Sequence, residues 1–216
     1  MMATSTPDYR ISISKEQIAL MEPVSFQGDI TLVDTPEGVT RAMADISCHA
    51  VIGFDTETRP SFQKGKVYKV ALMQLSTVDH CWLIRLNKVG IPPELREFIE
   101  NPEIQKIGLS VHDDFHVMHR SAEFEPRGFV DLQKIVPQFK IADISLQKIY
   151  AIIFGQKISK RQRLTNWEAS SLTPEQMRYA ALDAWACLKI NTALTSGMFH
   201  PEESPYKVYP EPDPEQ

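Results

Sequence analysis

The sequence predicts an α/β domain built on a mixed sheet flanked by helices. Three observations point there. Apolar runs of strand length recur along the chain at Ile30–Val33, Val51–Thr58, Val67–Thr77, Cys81–Leu86 and Ile104–Leu109. Segments with helical spacing of apolar residues lie between and after them. A long, strongly capped helix begins at Thr173, and its alanines permit close packing on a sheet. With 216 residues and 43% hydrophobic content, the chain can bury one substantial core and has no room for a second full domain.

From the start, residues 1–27 mix polar residues with one short helical pattern, Ser14 to Met21, and are expected to form an arm. Ile30–Val33 reads as a strand, and Thr35-Pro36-Glu37 carries the cap and proline of a helix running through Val39, Met43 and Ile46. Val51–Thr58 follows as a strand that ends in two acids. In a strand, residues two apart share a face, so Asp55 and Glu57 project together, about 6–7 Å apart along the chain. Such a pair is a ready cation site, although a strand running out into solvent would carry the same residues. Arg59-Pro60 ends it, and Lys64-Gly65-Lys66 lies in a polar connection. Val67–Thr77 and Cys81–Leu86, joined through Val78-Asp79-His80, read as an antiparallel hairpin, and a helix is expected from Pro92 to Glu100.

From Ile104 to Leu109 the pattern is that of a strand, and from His112 it becomes helical through Phe115 and Met118. Asp113 and Asp114 therefore sit at a strand-to-helix junction. One of them would serve as the helix cap, which leaves the other unexplained. His112, His116 and His119 share a helical face and offer an alternative reading as a zinc site with Asp113. Phe129–Leu132 reads as a strand whose Asp131 is structural, and Leu146–Phe154 as a helix stopped by Gly155. Lys157, Lys160, Arg161 and Arg163 form the densest basic cluster, followed by Asn166-Trp167; phosphate contact is the functional reading and a solvated loop the plain one.

Thr173-Pro174-Glu175-Gln176 combines a threonine cap, proline at the first helical position and glutamine three residues after the cap. The helix it starts should reach about Ser196, with Gly197 as the stop. Tyr179 and Asp183 lie on one face of it, and Asp183 sits among Ala181, Leu182, Ala184 and Trp185. A carboxylate so poorly solvated needs a cation or a donor. The proline- and acid-rich stretch 200–216 is expected to be disordered or extended.

Bulk properties narrow the function. The net charge of −5 argues against a basic protein that coats nucleic acid through phosphate attraction alone, but not against a nucleic-acid enzyme whose metals supply local positive charge. Cys48, Cys81 and Cys187 form neither a disulfide framework nor a CxxC pair. With no basic leader before an apolar run and no stretch of membrane-spanning length, a soluble cytoplasmic protein is expected, with no membrane partner.

Three acidic loci thus stand out: Asp55 with Glu57, Asp114, and Asp183 with Tyr179. Phe54-Asp55-Thr56-Glu57-Thr58, then Lys106-Ile107-Gly108 with Asp114 six residues after the glycine, then Tyr179-Ala180-Ala181-Leu182-Asp183 occur in the order and spacing of three exonuclease motifs. The chain therefore resembles the DEDDy 3′-to-5′ exonucleases of the ribonuclease H-like superfamily, a group that includes ribonuclease D, the proofreading domain of DNA polymerase I and the Werner-type exonucleases. Arg178 stands where the sister group has histidine, which favours the tyrosine branch. Asn166-Trp167, Leu172-Thr173 and the surroundings of Asp183 look more like the Werner-type branch. No helicase, polymerase or helical accessory domain accompanies the motifs, so a stand-alone nuclease at residues 28–199 is expected.

The resemblance implies a ribonuclease H-like single domain that removes nucleoside 5′-monophosphates from the 3′ end of single-stranded or recessed DNA or RNA, using two Mg²⁺ or Mn²⁺ ions. It implies that Asp55 bridges both ions, that Glu57 and Asp183 complete the site on the nucleophile side, and that Asp114 holds the second ion partly through water. Tyr179 would align the attacking water with Glu57. Leu72, Met73 and Phe115 are candidates for stacking the terminal bases, and Lys160, Arg161, Arg163 and Trp167 for contacting the strand. The competing readings are a catalytically weak nucleic-acid-binding module on the same fold, and a two-metal hydrolase of nucleotides or small phosphoesters.

Overall fold

A computed structural model describes residues 8–210. The elements run β1 (Arg10–Ile11), α1 (Lys15–Ala19), β2 (Asp29–Val33), α2 (Pro36–Ile46), β3 (Val51–Thr58), β4 (Val70–Ser76), β5 (His80–Ile84), α3 (Leu86–Val89) and α4 (Pro93–Glu100). They continue with β6 (Gln105–Gly108), α5 (Val111–Met118), β7 (Phe129–Asp131), α6 (Leu132–Ile135), α7 (Leu146–Phe154), α8 (Pro174–Thr195) and β8 (Lys207–Val208). Six strands form one mixed sheet in the order β2-β5-β4-β3-β6-β7. β4 is antiparallel to both β3 and β5, as the hairpin reading requires, and the remaining neighbours are parallel.

Alternation along β3 divides its side chains between two cores. Ile52 and Phe54 join Val39, Leu95, Phe115 and their neighbours under α2, α4 and α5. The opposite face, which carries Leu72, Leu83 and Ile107, packs on α7 and α8 through Tyr150, Ala180, Leu188 and others. Gly53 belongs to this second face. A Cβ there would stand 2.1 Å from the carbonyl oxygen of Ala184, so only glycine lets α8 lie against the middle of β3. That approach brings the acidic end of β3 beside Asp183 on α8.

Local chemistry accounts for the helix ends. Thr35 and Thr173 cap α2 and α8 through their side chains, and at α8 the Gln176 side chain completes the reciprocal capping box. Gly155 ends α7 at φ 66°. At α5 neither aspartate is the cap. Ser110 occupies that place at φ 61°, held by its N–H donating to Asp131 Oδ1 at 2.9 Å, while its hydroxyl donates to Asp113 Oδ2 at 2.7 Å. Asp131 also caps α6, so its structural role is observed. Asp114 is left free to face the strand.

The ends of the chain differ from the expected arm and loose tail. Ile11, Ile13, Ile18 and Phe26 are buried against the α7–α8 core, and β1 pairs with β8. Residues 201–203 form a 3₁₀ turn, so the segment up to 210 is folded onto the domain; residues 1–7 and 211–216 lie outside the described part. The cause is apolar spacing that only a non-local partner can satisfy. No helix among the described residues is long and apolar enough to cross a membrane.

Candidate active site

Asp55 and Glu57 project from the end of β3 toward α8, where Asp183 is buried on the facing side. One carboxylate oxygen from each lies within 4.8 Å of the others, and among the described residues this is the group of acids, histidines and cysteines disposed to hold a metal ion. Asp114, on α5, stands apart from that group. Its Oδ1 accepts a 2.5 Å hydrogen bond from the hydroxyl of Thr56, the residue between the two strand acids. Two cavities follow from this division. One of about 330 Å³ is lined by Asp55, Glu57, Tyr179 and Asp183 with Lys160 and Arg163; another of about 320 Å³ is lined by Thr56, Glu57, Asp114, Arg163 and Leu164. Glu57 and Arg163 belong to both, so the two form one cleft.

The gathered acids are poorly solvated and repel one another. Burial, then the charges of Asp183, Asp114 and Glu57, push the Asp55 carboxyl well above the usual range. Burial and the charges of Asp183 and Asp114 raise Glu57 to about 9, against which Arg163 acts in the other direction. Burial raises Asp183 to about 7 despite a hydrogen bond from Tyr179 and the nearby Lys160. Asp114 also rises to about 7 through burial, opposed by its bond from Thr56. Burial and the neighbouring acids raise the Tyr179 phenol as well, so it keeps its proton at neutral pH. Hard oxygen donors that repel one another when empty fit a divalent cation such as Mg²⁺ or Mn²⁺.

The loop between α7 and α8 closes one side of the cleft. Trp167 anchors it with no exposed surface, packed 6.1 Å from the Tyr179 ring. The buried guanidinium of Arg85 donates to the carbonyls of Ala169 and Ser170, and Gln176 Nε2 donates to Thr165 Oγ1 at 3.0 Å. Held at this end, the loop carries Lys160 and Arg163 into the cleft wall, whereas Arg161 is exposed and lines neither cavity.

The expected apolar contacts to a strand are not there. Leu72, Met73 and Trp167 have no exposed surface, and Phe115 is 7% exposed, packed edge-on to Phe129 at 4.7 Å. A base stacks only on a ring or chain that reaches solvent, so these four are packing residues. The zinc alternative also falls. His119 bonds the carbonyl of Phe124 and stacks on its ring, and exposed His112 meets Lys134, with no gathering of histidine ligands among the described residues. Sequence reasoning missed Gly53 and Thr56. A glycine inside an otherwise apolar strand is the signal for the first; the second had none, because its partner is 58 residues away.

Comparison with known proteins identifies the family and the fold. A family model described as 3′-5′ exonuclease matches residues 30–198. The bifunctional 3′-5′ exonuclease/ATP-dependent helicase WRN of Mus musculus is 32% identical over 146 residues, 65% of this chain and 10% of that protein. The exonuclease mut-7 homolog of Homo sapiens is 26% identical over 195 residues, 77% of this chain and 22% of that protein. The chain thus spans a minor part of the length of these relatives. Among solved structures, the Aedes aegypti Nibbler EXO domain superposes with a TM-score of 0.72 at 23% identity, covering 83% of this chain and 96% of that one. Escherichia coli RNase D gives 0.69 at 22% identity, covering 77% and 44%. The fold is therefore the ribonuclease H-like fold of those nucleases, and the chain belongs to the 3′-5′ exonuclease domain family.

Proposed function

We propose that this protein is a two-metal-dependent 3′-to-5′ exonuclease that releases nucleoside 5′-monophosphates from the 3′ end of a DNA or RNA strand. The observation that carries the reading is the convergence of Asp55, Glu57 and Asp183 within 4.8 Å, with Asp114 in the adjoining cavity, on an exonuclease fold. Asp55, Glu57 and Asp183 would hold one ion, and Asp55 with Asp114 the other. Bound there, such a pair supplies an activated water and stabilises charge on the phosphate and the departing 3′-oxygen.

The remaining steps belong to side chains. The Tyr179 hydroxyl stays protonated, so it orients the attacking water through a hydrogen bond and does not act as its base. Glu57, ionised once a cation offsets its surroundings, accepts a hydrogen bond from the same water and fixes the line of attack. Lys160 and Arg163 on the cleft wall meet the phosphates and hold the terminal residue in place. Thr56 keeps the Asp114 carboxylate aimed at the cleft. The acidic chain and its three free cysteines suit a reducing, cytoplasmic setting.

The test is degradation of matched 5′-labelled DNA and RNA single strands with a free 3′-hydroxyl, in Mg²⁺ or Mn²⁺. A ladder that shortens one nucleotide at a time from the 3′ end supports the reading. Internal cuts, or binding without shortening, would refute it.

A further inference from the structure

Gln74 lies in the middle of β4 with no exposed surface, and neither its Nε2 nor its Oε1 has a hydrogen-bond partner. Exchanging the two atoms changes nothing, since both are unpaired. A buried amide with both ends unsatisfied is costly, and an apolar side chain of similar size would be cheaper in its place. Its position suggests what the cost maintains. In the β3–β4 ladder Gln74 stands directly opposite Asp55, and directly opposed residues share a face with their Cβ atoms about 4.5–5.5 Å apart. On its other side Gln74 faces Leu83 of β5, which offers no polar group. The β3–β6 pairing stops at Gly53, so the opposite flank of Asp55 opens to the cleft. Gln74 is thus the cross-strand neighbour of Asp55 within the sheet.

Resting on the functional reading above, we infer that Gln74 is a positioning residue for Asp55: its carboxamide turns to the Asp55 carboxyl when a divalent cation is bound and fixes the orientation of that carboxylate. Nε2–H is the donor that an ionised, metal-ligating carboxylate accepts from. Side chains that orient a metal-ligating carboxylate in this way tune affinity without touching the ion.

The experiment uses the full chain with Gln74→Met, which is close in length and apolar, and Gln74→Leu as a second variant. In EDTA both should melt about 2–4 °C above wild type, because an unsatisfied amide is gone. Calorimetric titration with Mn²⁺ should give a dissociation constant about tenfold weaker, and kcat on a single strand should fall about as much with KM unchanged. A residue that merely fills the core would give the opposite sign in EDTA and leave the Mn²⁺ affinity alone. Variants that bind Mn²⁺ as wild type does, or a failure of both to fold, would overturn the inference. If wild type itself bound no Mn²⁺, the functional reading would fail first, and that result is distinct from these.

Discussion

Replacing Asp183 by asparagine should make the metal-free protein more stable and the metal-bound protein less so. The acid is 6% exposed, and burial is the chief reason its pKa is raised from 3.8 to about 7. At pH 8 the unfolded chain carries it ionised at no cost, while the folded chain must bury the charge; a rise of that size corresponds to about 4 kcal/mol as an upper bound. Asparagine avoids that penalty but brings an amide of its own, whose burial returns about 1–3 kcal/mol. The net gain is about 2 kcal/mol, or about 4–8 °C in melting temperature for a chain of this length. Saturating Mn²⁺ acts the other way. At one hundred times its dissociation constant a ligand adds about 2.7 kcal/mol to the protein that binds it, and the variant forfeits most of this. Thermal melts of both proteins in EDTA and in Mn²⁺ should therefore cross over. An Asp183→Asn protein that melts lower in EDTA, or that gains as much from Mn²⁺ as wild type, would refute the reasoning.

Metal-free stability should also depend on pH in a definite sense. Glu57, Asp114 and Asp183 have folded pKa values above the ordinary carboxylate range. The folded chain therefore holds more protons than the unfolded one from about pH 4 upward. Stability in EDTA is then full at the acid end of that window and falls as pH rises through about 7 and toward about 9, which denaturant titrations at pH 6 and 8.5 would show; a rise over that interval contradicts the site's electrostatics. Tyr179→Phe removes the hydroxyl that orients water, and kcat should drop by roughly 10²-fold with the Mn²⁺-induced melting shift intact. A loss of that shift would make the tyrosine part of the metal site instead. Gly53→Ala drives a methyl group into the Ala184 carbonyl and should cost about 3 kcal/mol in a denaturant melt; a cost below about 1 kcal/mol would mean that α8 does not depend on this close approach.

Much of this site is legible in the sequence because charge in an apolar context is costly and therefore informative. Asp55 follows Ile52 and Phe54, and Asp183 lies among alanines and a tryptophan, so each announces a partner before any coordinate is known. The helix caps at Thr35 and Thr173 are local chemistry and are found where they are expected. Leu72, Met73, Phe115 and Trp167 were not legible in the same way. An apolar side chain beside a motif looks alike whether it stacks a base or fills the core, and the difference is made by α5, α8 and the loop before α8 closing over it. The same holds for the N-terminal stretch. Ile11 is buried because β8 and Lys140 offer it backbone partners far away in sequence, and no local pattern encodes that. Gln74 is the sharpest case, since a lone glutamine in a strand carries no signal until the register sets it opposite Asp55.

The most direct test of the central claim is a crystal of the wild-type chain grown with Mn²⁺ and a 3′-terminal dinucleotide, with anomalous scattering recorded at the manganese edge. Two peaks about 3.5–4 Å apart are expected, one among Asp55, Glu57 and Asp183 and one between Asp55 and Asp114. Peaks elsewhere, or no metal at these carboxylates under conditions that support cleavage, would contradict it.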